Sequence, residues 1–332
     1  MNILELTTKL SILSESEISE VVKLEGGFQN HVFSFQMENR RYIARLTPIQ
    51  KRSIAHIEAE LAFINSVKLN QIKTPEIITI KEERISTLKI DNERFWLTVF
   101  QFIDDKQINV ANLTQWNAPF FYEWGKTIAQ IHQINEDSKI MIQRPNWLED
   151  RVGEVNPIPS LLTESEKWVK DIYENLLVKL TSYPRTKHNF GLIHHDLHQG
   201  NFFVTSSNQL ILFDFDDCAY NYYVQDLATS IYHALWTGCS FHPQWSDFKQ
   251  EFLKHFFSGY RSVKPLTKDD LIQIGLFLQL RELFLYVLFN KSWVTADLAE
   301  WQTEKIVELE NSLRANKIPY EQELRDFAER NL

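Results

Sequence analysis

Hydrophobic and polar positions divide the chain into a β-rich first part and a helical second part. Strand-like runs occur at VVKLEGGFQNHVFSFQ, RRYIARL, ISTLKI and RFWLTVFQFI, with a DNE turn between the last two. Among them, SIAHIEAELAFINSVKLN has helical spacing, and Ser53 stands where an N-cap is expected. The first run bends at Gly26 and Gly27 and counts as two strands, so the pattern predicts five strands and one inserted helix. A short helix that ends before Val21 precedes them.

The spacing becomes helical after residues 104–105. WNAPFFYEWGKTIAQIHQI and TESEKWVKDIYENLLVKL predict helices, and helices dominate again from Val224 onward. Short β-like runs recur only at GLIH, NFFV and QLILF. We therefore predict an α+β fold with two parts, residues 1–102 and residues 103–332.

Composition indicates a soluble globular protein. Hydrophobic residues make up 44% of the 332 residues, which is ample for a packed core. The apolar run LIQIGLFLQLRELFLYVLF is interrupted by Arg281 and Glu282, so it predicts a buried helix rather than a membrane span. The N-terminus lacks the pattern of a signal peptide, and two cysteines, Cys218 and Cys239, are too few for a disulfide framework. A cytoplasmic location is expected.

The net charge of −9 narrows the classes of partner. An acidic chain does not attract a phosphate backbone, so the charge argues against a nucleic-acid binder. It is compatible with a cationic small-molecule substrate. We expect no membrane partner, and the sequence leaves the oligomeric state open.

The stretch LIHHDLHQGNFFVTSSNQLILFDFDD carries the most informative chemistry. Apolar runs flank a polar loop, and a short hairpin would place Asp196, Asn201 and Asp214 at neighbouring ends of adjacent strands. Phosphoryl transfer needs such a set, because one carboxylate must accept a hydroxyl proton and Mg²⁺ prefers oxygen ligands. Asp196 suits the role of catalytic base, and Asn201 and Asp214 suit that of metal ligands.

The same residues resemble a known family. His194, Asp196 and Asn201 form the pattern H-x-D-x-x-x-x-N, and DFD follows at 214–216. Together they resemble the aminoglycoside phosphotransferase and choline kinase-like family, over roughly residues 20–290. The resemblance implies a bilobal protein-kinase-like fold, with a small antiparallel-sheet nucleotide-binding lobe and a larger helical catalytic lobe. It also implies ATP and Mg²⁺ as cofactors, and a structural role for Asp226 in holding the backbone of the catalytic loop.

Other interpretations of this stretch remain open. A cluster of histidines, His194, His195 and His198, is also compatible with a metal-hydrolase site, or with residues that only order the loop. Asp216 and Asp217 are also compatible with a simple strand end, and Asp216 alternatively helps to bind metal or orients its loop.

The segment LEGGFQNHVF lies where the resemblance implies a phosphate-covering hairpin. Gly26 and Gly27 allow the backbone to approach phosphate, and Asn30 follows them. A glycine pair alone also occurs in ordinary turns. We predict that Gly26, Gly27 and Asn30 bind the nucleotide.

Two further segments complete the predicted nucleotide site. YIARL resembles the strand that carries the phosphate-binding lysine, and Arg45 occupies that position. Its partner would be Glu58 or Glu60, of which we prefer Glu60. LTVFQFID resembles the hinge between the lobes, where Phe100 and Phe102 would line the adenine pocket or belong to the core.

The sequence thus predicts an ATP-dependent kinase that transfers the γ-phosphoryl group to a hydroxyl of a small molecule. Three alternatives remain: a protein Ser/Thr kinase of the stress-response type, an antibiotic-modifying phosphotransferase and a non-catalytic nucleotide-binding module. The identity of the acceptor and the choice between ATP and GTP are not determined by these motifs, because specificity depends on pocket residues rather than on the fold.

Overall fold

A computed structural model describes residues 1–24, 30–137, 142–148, 158, 162–293 and 298–332. The predicted phosphate-binding residues Gly26 and Gly27 lie outside the described residues, whereas Asn30 is the first residue after that gap.

The first part of the described chain forms an antiparallel sheet. Its order is β1-β2-β3-β6-β4, with β5 also pairing with β6. The described strands of this sheet are β1 (Ile18–Lys23), β2 (His31–Met37), β3 (Arg40–Pro48), β4 (Ile77–Ile78), β5 (Ser86–Ile90) and β6 (Glu93–Gln101). The described residues thus hold six strands here instead of the predicted five, and β4, with two residues, is too short to give an alternating pattern.

Two tight hairpins fix the register of this sheet. Asp91 and Asn92, with φ angles of 50° and 66°, turn β5 into β6, and Glu38 and Asn39, at 51° and 60°, turn β2 into β3. Two-residue hairpin turns of this kind need positive φ at both positions, which Asn and Asp tolerate better than most residues. The predicted DNE turn is confirmed.

Two helices pack with the sheet. The first, α1 (Ile3–Ser14), is followed directly by β1 and covers the small core of the sheet through Leu6 and Leu10. The second, α2 (Ile54–Leu69), is capped by Ser53, whose Oγ accepts a hydrogen bond from the backbone N–H of His56 at 3.3 Å. The inward side of α2 includes Ile57 and Leu61 and belongs to the larger core formed with the helical part, so α2 joins the two parts.

The remainder of the described chain is mainly helical. Its described helices are α3 (Ala118–Asp137), α4 (Lys167–Thr181), α5 (Val224–Phe241), α6 (Phe248–Arg261), α7 (Lys268–Ser292), α8 (Glu300–Arg314) and α9 (Glu321–Asn331). Between α4 and α5 lie β7 (Phe190–Ile193), β8 (Phe202–Val204), β9 (Leu210–Leu212) and β10 (Ala219–Tyr222).

Among the described residues, α7 alone is long and apolar enough to cross a membrane by length and composition. Within the fold, 78% of its apolar window is buried, as expected for a core helix. Its polar interruptions have structural partners: Glu282 accepts a hydrogen bond from Ser312 at 2.6 Å, and Arg281 reaches the polar loop after β7. The predicted buried helix is confirmed.

Candidate active site

A cleft of about 660 Å³ lies between the sheet and the helical part. Its lining includes every predicted nucleotide or metal residue that the structure describes, namely Asn30, Arg45, Glu60, Phe100, Phe102, Asn201 and Asp214. These residues come from opposite sides of the cleft, since the first five belong to the sheet part and the last two to the helical part. The sequence motifs therefore meet in one place.

Arg45 and Glu60 form a buried bidentate ion pair in this cleft. Arg45 Nη1 and Nη2 lie 2.6 and 2.7 Å from the two carboxylate oxygens of Glu60. Thr98, opposite Arg45 on β6, accepts a hydrogen bond from Arg45 Nε at 3.3 Å. Glu58 is exposed on α2, so Glu60 is the partner of Arg45. The planar guanidinium group matches a carboxylate in this two-bond geometry, which fixes Arg45 firmly at the cleft wall.

The hinge phenylalanines lie at the end of β6. The ring of Phe100 lies 5.4 Å from the Arg45 guanidinium carbon, and that of Phe102 lies 3.7 Å from the corresponding atom of Arg41. Both rings line the cleft while contacting cations of β3. They are therefore accessible from the cleft rather than enclosed in the core.

The polar loop between β7 and β8 is held by Asp226 in the first turn of α5. The two carboxylate oxygens of Asp226 accept hydrogen bonds from the backbone N–H groups of His194 at 3.1 Å and His195 at 2.7 Å. His195 has φ of 74°, an uncommon conformation for a residue other than glycine. Asp226 thus fixes an unusual turn just before Asp196, and the structural role implied for it by the family resemblance agrees with this geometry.

The strand pairing around this loop differs from the sequence prediction. The prediction placed Asp196, Asn201 and Asp214 at the ends of adjacent strands of one hairpin. Instead β7 pairs with β10, while β8 and β9 form a separate hairpin. Asn201 and Asp214 flank that hairpin, and Asp196 approaches them through the loop. The prediction was wrong for Asp196 because the four-residue β10 lies beyond the DFD segment and was not recognised as a strand.

Asp196 is contacted by residues of the polar loop between β7 and β8 and of α7. Arg281 Nη2 donates a hydrogen bond to Asp196 Oδ1 at 2.8 Å, and Asn201 Nδ2 lies 3.2 Å from Oδ2. His233 of α5 accepts a hydrogen bond from Arg281 Nε at 3.1 Å and orients the guanidinium group. Burial alone would raise the pKa of Asp196, but the positive charge of Arg281, followed by His198, holds it well below its usual range.

Arg281 and His233 are candidate site residues that the sequence motifs did not indicate. Arg281 was noted only as an interruption of an apolar helix, and that interruption is the signal that could have identified it. A charged residue within a buried helix needs a partner of opposite charge. The partner, Asp196, lies 85 positions away in the sequence.

Asp214 follows β9 and lies beside Asn201. The backbone N–H of Phe213 donates to the carbonyl oxygen of Asn201 at 3.0 Å, which extends the β8–β9 hairpin to this pair. Although solvent reaches Asp214 through the open cleft, desolvation by the surrounding protein, followed by the negative charge of Asp216, raises the pKa of Asp214 to about 8. A neighbouring cation would favour the ionised form of this carboxylate. With φ of 60°, Asp214 also has the left-handed backbone often found at functional sites.

The three histidines of the loop have separate partners. His194 Nε2 donates to the carbonyl oxygen of Phe213 at 3.0 Å, and His195 Nε2 accepts from Asn221 Nδ2 at 3.2 Å. His198 Nδ1 accepts from the backbone N–H of Gly200 at 3.0 Å. In the part of the chain that the structure describes, no group of three or more His, Cys, Asp or Glu residues is arranged to hold a metal ion. The contacts favour loop-ordering roles over a metal-hydrolase site.

Asp216 is held by an arginine that the sequence analysis did not consider. Arg52 Nε lies 3.1 Å from Asp216 Oδ1, and Arg52 Nη2 lies 2.8 Å from Asp217 Oδ1. Burial would raise the pKa of Asp216, but the positive charge of Arg52, followed by that of Arg45, and the hydrogen bond from Arg52 together lower it. Of the two roles left open for Asp216, this geometry favours orientation of the loop.

Comparisons of sequence agree with the chemistry of this cleft. A model described as the phosphotransferase enzyme family (APH) matches residues 20–266. Over 283 residues the chain is 25% identical to amicoumacin kinase of Bacillus subtilis (strain 168), covering 84% of this chain and 82% of that protein.

Comparisons of structure extend over both parts of the fold. Amicoumacin kinase hAmiN, solved in complex with AMP-PNP, Ca²⁺ and Ami, superposes with a TM-score of 0.83 at 23% identity and covers 95% of this chain and 94% of that chain. A microcompartment-associated aminopropanol kinase gives 0.70 at 18% identity, covering 94% and 99%. Choline kinase LicA from Streptococcus pneumoniae gives 0.60 at 17% identity, covering 95% and 100%.

Proposed function

Because the chain belongs to the phosphotransferase enzyme family, we propose that it transfers the γ-phosphoryl group of ATP to a hydroxyl group of a small molecule. The family and the protein-kinase-like α+β fold predicted from the sequence motifs are both confirmed. The chain is accordingly an enzyme of the small-molecule kinase type.

One observation carries the proposed mechanism: Asp196 lies next to Asn201, which lines the cleft together with Asp214. Asn201 connects the other two, since its side chain donates to Asp196 and its carbonyl oxygen accepts from the residue before Asp214. Phosphoryl transfer depends mainly on positioning and on stabilising negative charge, and this set offers one carboxylate on each side of a shared asparagine. Asp196 would accept the proton of the attacking hydroxyl.

The donor set of Asn201 and Asp214 fits a divalent cation. Asp214 accepts no hydrogen bond from a described residue, and Asn201 hydrogen-bonds through the Nδ2 of its side chain, which leaves its amide oxygen available. Carboxylate and amide oxygens are ligands that Mg²⁺ prefers. When bound, Mg²⁺ would neutralise part of the charge on the phosphate groups. The two residues would hold the ion while Asp196 faces the acceptor.

Residues of the sheet part would bind the nucleotide. Arg45, fixed by Glu60, has guanidinium N–H groups in addition to those that it gives to Glu60 and Thr98, and phosphate oxygens could accept from them. Phe100 and Phe102 would contact the base. Gly26, Gly27 and Asn30 remain the predicted phosphate-covering residues.

Replacing Arg45 by methionine should weaken binding of ATP and slow transfer, because Met keeps much of the volume but provides no donor for phosphate. Arg45→Lys, which keeps a positive charge, should retain more affinity than Arg45→Met. Calorimetric titration with ATP would measure the affinity of both variants, and an assay of phosphoryl transfer would measure their rates. Equal, wild-type affinity in the two variants, with the fold intact, would contradict a phosphate-binding role.

The acceptor would lie beside Asp196, toward α5 and α7. Arg281 balances the charge of Asp196, so the base by itself does not attract a cationic acceptor, and the expectation of a cationic substrate rests on the overall charge alone. Similarity over most of the chain to a kinase named for amicoumacin favours an antibiotic-modifying activity as the second candidate function. Protein Ser/Thr and non-catalytic alternatives have no comparable support.

A panel of acceptors tests the proposal. The chain would be incubated with Mg²⁺ and ATP and with amicoumacin, aminopropanol, choline or a generic protein substrate, and products would be identified by mass spectrometry. We expect one small molecule to gain a phosphoryl group for each ADP formed. Phosphorylation of the protein substrate alone would contradict a small-molecule acceptor. The lobe boundary after residue 102 and a cytoplasmic location stay predictions.

A further inference from the structure

Arg52 is a buried arginine at the junction of the two parts of the molecule. It lies between the end of β3 and the start of α2, and only 2% of the residue is exposed. Its backbone is tied to the sheet part, since its carbonyl oxygen accepts a hydrogen bond from Trp96 Nε1 at 3.0 Å. Its side chain crosses to the helical part, where it pairs with Asp216 and Asp217.

A second contact crosses at the same point. Asn30 Nδ2 donates to Asp216 Oδ2 at 3.2 Å, and Asn30 Oδ1 accepts from Thr47 Oγ1 at 2.8 Å. Asn30 lies three positions after Gly27, the second of the predicted phosphate-covering glycines. The single carboxylate of Asp216 therefore receives hydrogen bonds from two residues of the sheet part, Arg52 and Asn30, which lie on the side of the cleft where the nucleotide is proposed to bind.

Residues 214–218 form the loop that carries Asp214 and Asp216, called here the Asp214 loop. The helical part holds the Asp214 loop through its backbone. Arg144 Nη2 donates to the carbonyl oxygen of Asp216, and Arg144 Nε to that of Cys218, both at 2.6 Å. The side chain of Phe215 packs between His194 and Phe63 of α2, with ring centroids 4.4 and 5.6 Å away. These contacts hold Phe215, Asp216 and Cys218, which follow Asp214, rather than the side chain of Asp214 itself.

The side chain of Asp214 receives no comparable support, because it accepts no hydrogen bond from a described residue. Its place in the cleft consequently depends on the residues on either side. A buried guanidinium group paired with two carboxylates is a strong constraint, because breaking it leaves charge uncompensated inside the protein. Arg52 is the side chain that applies this constraint from the nucleotide side.

We infer that Arg52 is a positioning residue that holds the Asp214 loop against the nucleotide side of the cleft and so sets the affinity for the metal–nucleotide complex. The inference rests on the proposed function, since it takes Asp214 as a metal ligand. Arg52 itself contacts neither substrate nor metal in this assignment; it acts through Asp216.

The test is the affinity of the full chain for AMP-PNP, measured by calorimetry with Mg²⁺ and again in EDTA. Loss of a partner behind a metal ligand typically costs about 10- to 100-fold in metal affinity, and we expect Arg52→Met to weaken binding of Mg²⁺–AMP-PNP by that factor. Binding of AMP-PNP in EDTA should change little. Arg52→Lys, which keeps the charge but cannot bond both carboxylates in the same way, should lie between wild type and Arg52→Met.

Arg94, exposed on β6, supplies a matched control, and Arg94→Met should bind as wild type does. Wild-type affinity in Arg52→Met would overturn the inference, as would an equal loss with Mg²⁺ and in EDTA. Failure of the wild-type chain to bind Mg²⁺–AMP-PNP would instead overturn the proposed function, and this inference with it.

A second variant covers the case in which Arg52→Met does not fold. Asp217→Asn removes one of the two described carboxylate partners of Arg52 and leaves the buried pair of Arg52 with Asp216. We expect a smaller, Mg²⁺-dependent loss of affinity. Wild-type binding by both Asp217→Asn and Arg52→Lys would overturn the inference.

Discussion

Asp196→Asn is expected to lower the rate of phosphoryl transfer by about 10²- to 10⁴-fold, the usual contribution of a positioned general base. Asparagine keeps the shape of the side chain, and its amide oxygen can still accept the hydrogen bond from Asn201. It cannot accept the proton of the attacking hydroxyl. Affinity for Mg²⁺–ATP should change little, because Asp196 is not among the residues that line the nucleotide cleft.

The measurement combines transfer to an acceptor from the panel with calorimetric titration of Mg²⁺–ATP. Asn at this position also weakens the ion pair with Arg281, so thermal unfolding must show that the variant remains folded under assay conditions. An equal loss of nucleotide affinity and of turnover would mean that Asp196 binds the metal–nucleotide complex and is not the base.

Asp214→Ala is expected to impair both metal-dependent nucleotide binding and transfer. Removing one preorganised charge-stabilising group typically costs about 10²- to 10³-fold in turnover, and the loss of a direct metal ligand should cost at least that much. The fold should tolerate the change, since the side chain of Asp214 makes no hydrogen bond with a described residue and lies in the open cleft.

Titration of the variant with ATP, with and without Mg²⁺, measures the effect on binding. Asp171→Ala supplies the control, because it also removes one carboxylate but from the exposed face of α4. The contrast with Asp196→Asn is informative: one variant should lose turnover alone, and the other both functions. Wild-type turnover in folded Asp214→Ala protein would refute its role as a metal ligand.

Local patterns were sufficient for most of the secondary structure. The Ser53 cap, the hairpin at Asp91 and the long helix of α7 depend on neighbouring residues, so each could be predicted from a short window. The pairing of β7 was not predictable in this way. Its partner, β10, is four residues long and follows the DFD segment, so its pairing depends on the tertiary arrangement rather than on its own pattern.

The sequence by itself determined the family and the fold class and indicated Asp196, Asn201 and Asp214 as candidate site residues, because these depend on residue types at short, fixed spacings. The tertiary structure shows Arg45 paired with Glu60, which the sequence had only favoured over Glu58. It alone revealed the arginines behind the site, since Arg281 meets Asp196 across 85 positions and Arg52 meets Asp216 across 164. A buried charge must be compensated, but its partner is selected by the packing of distant elements, which no local pattern specifies.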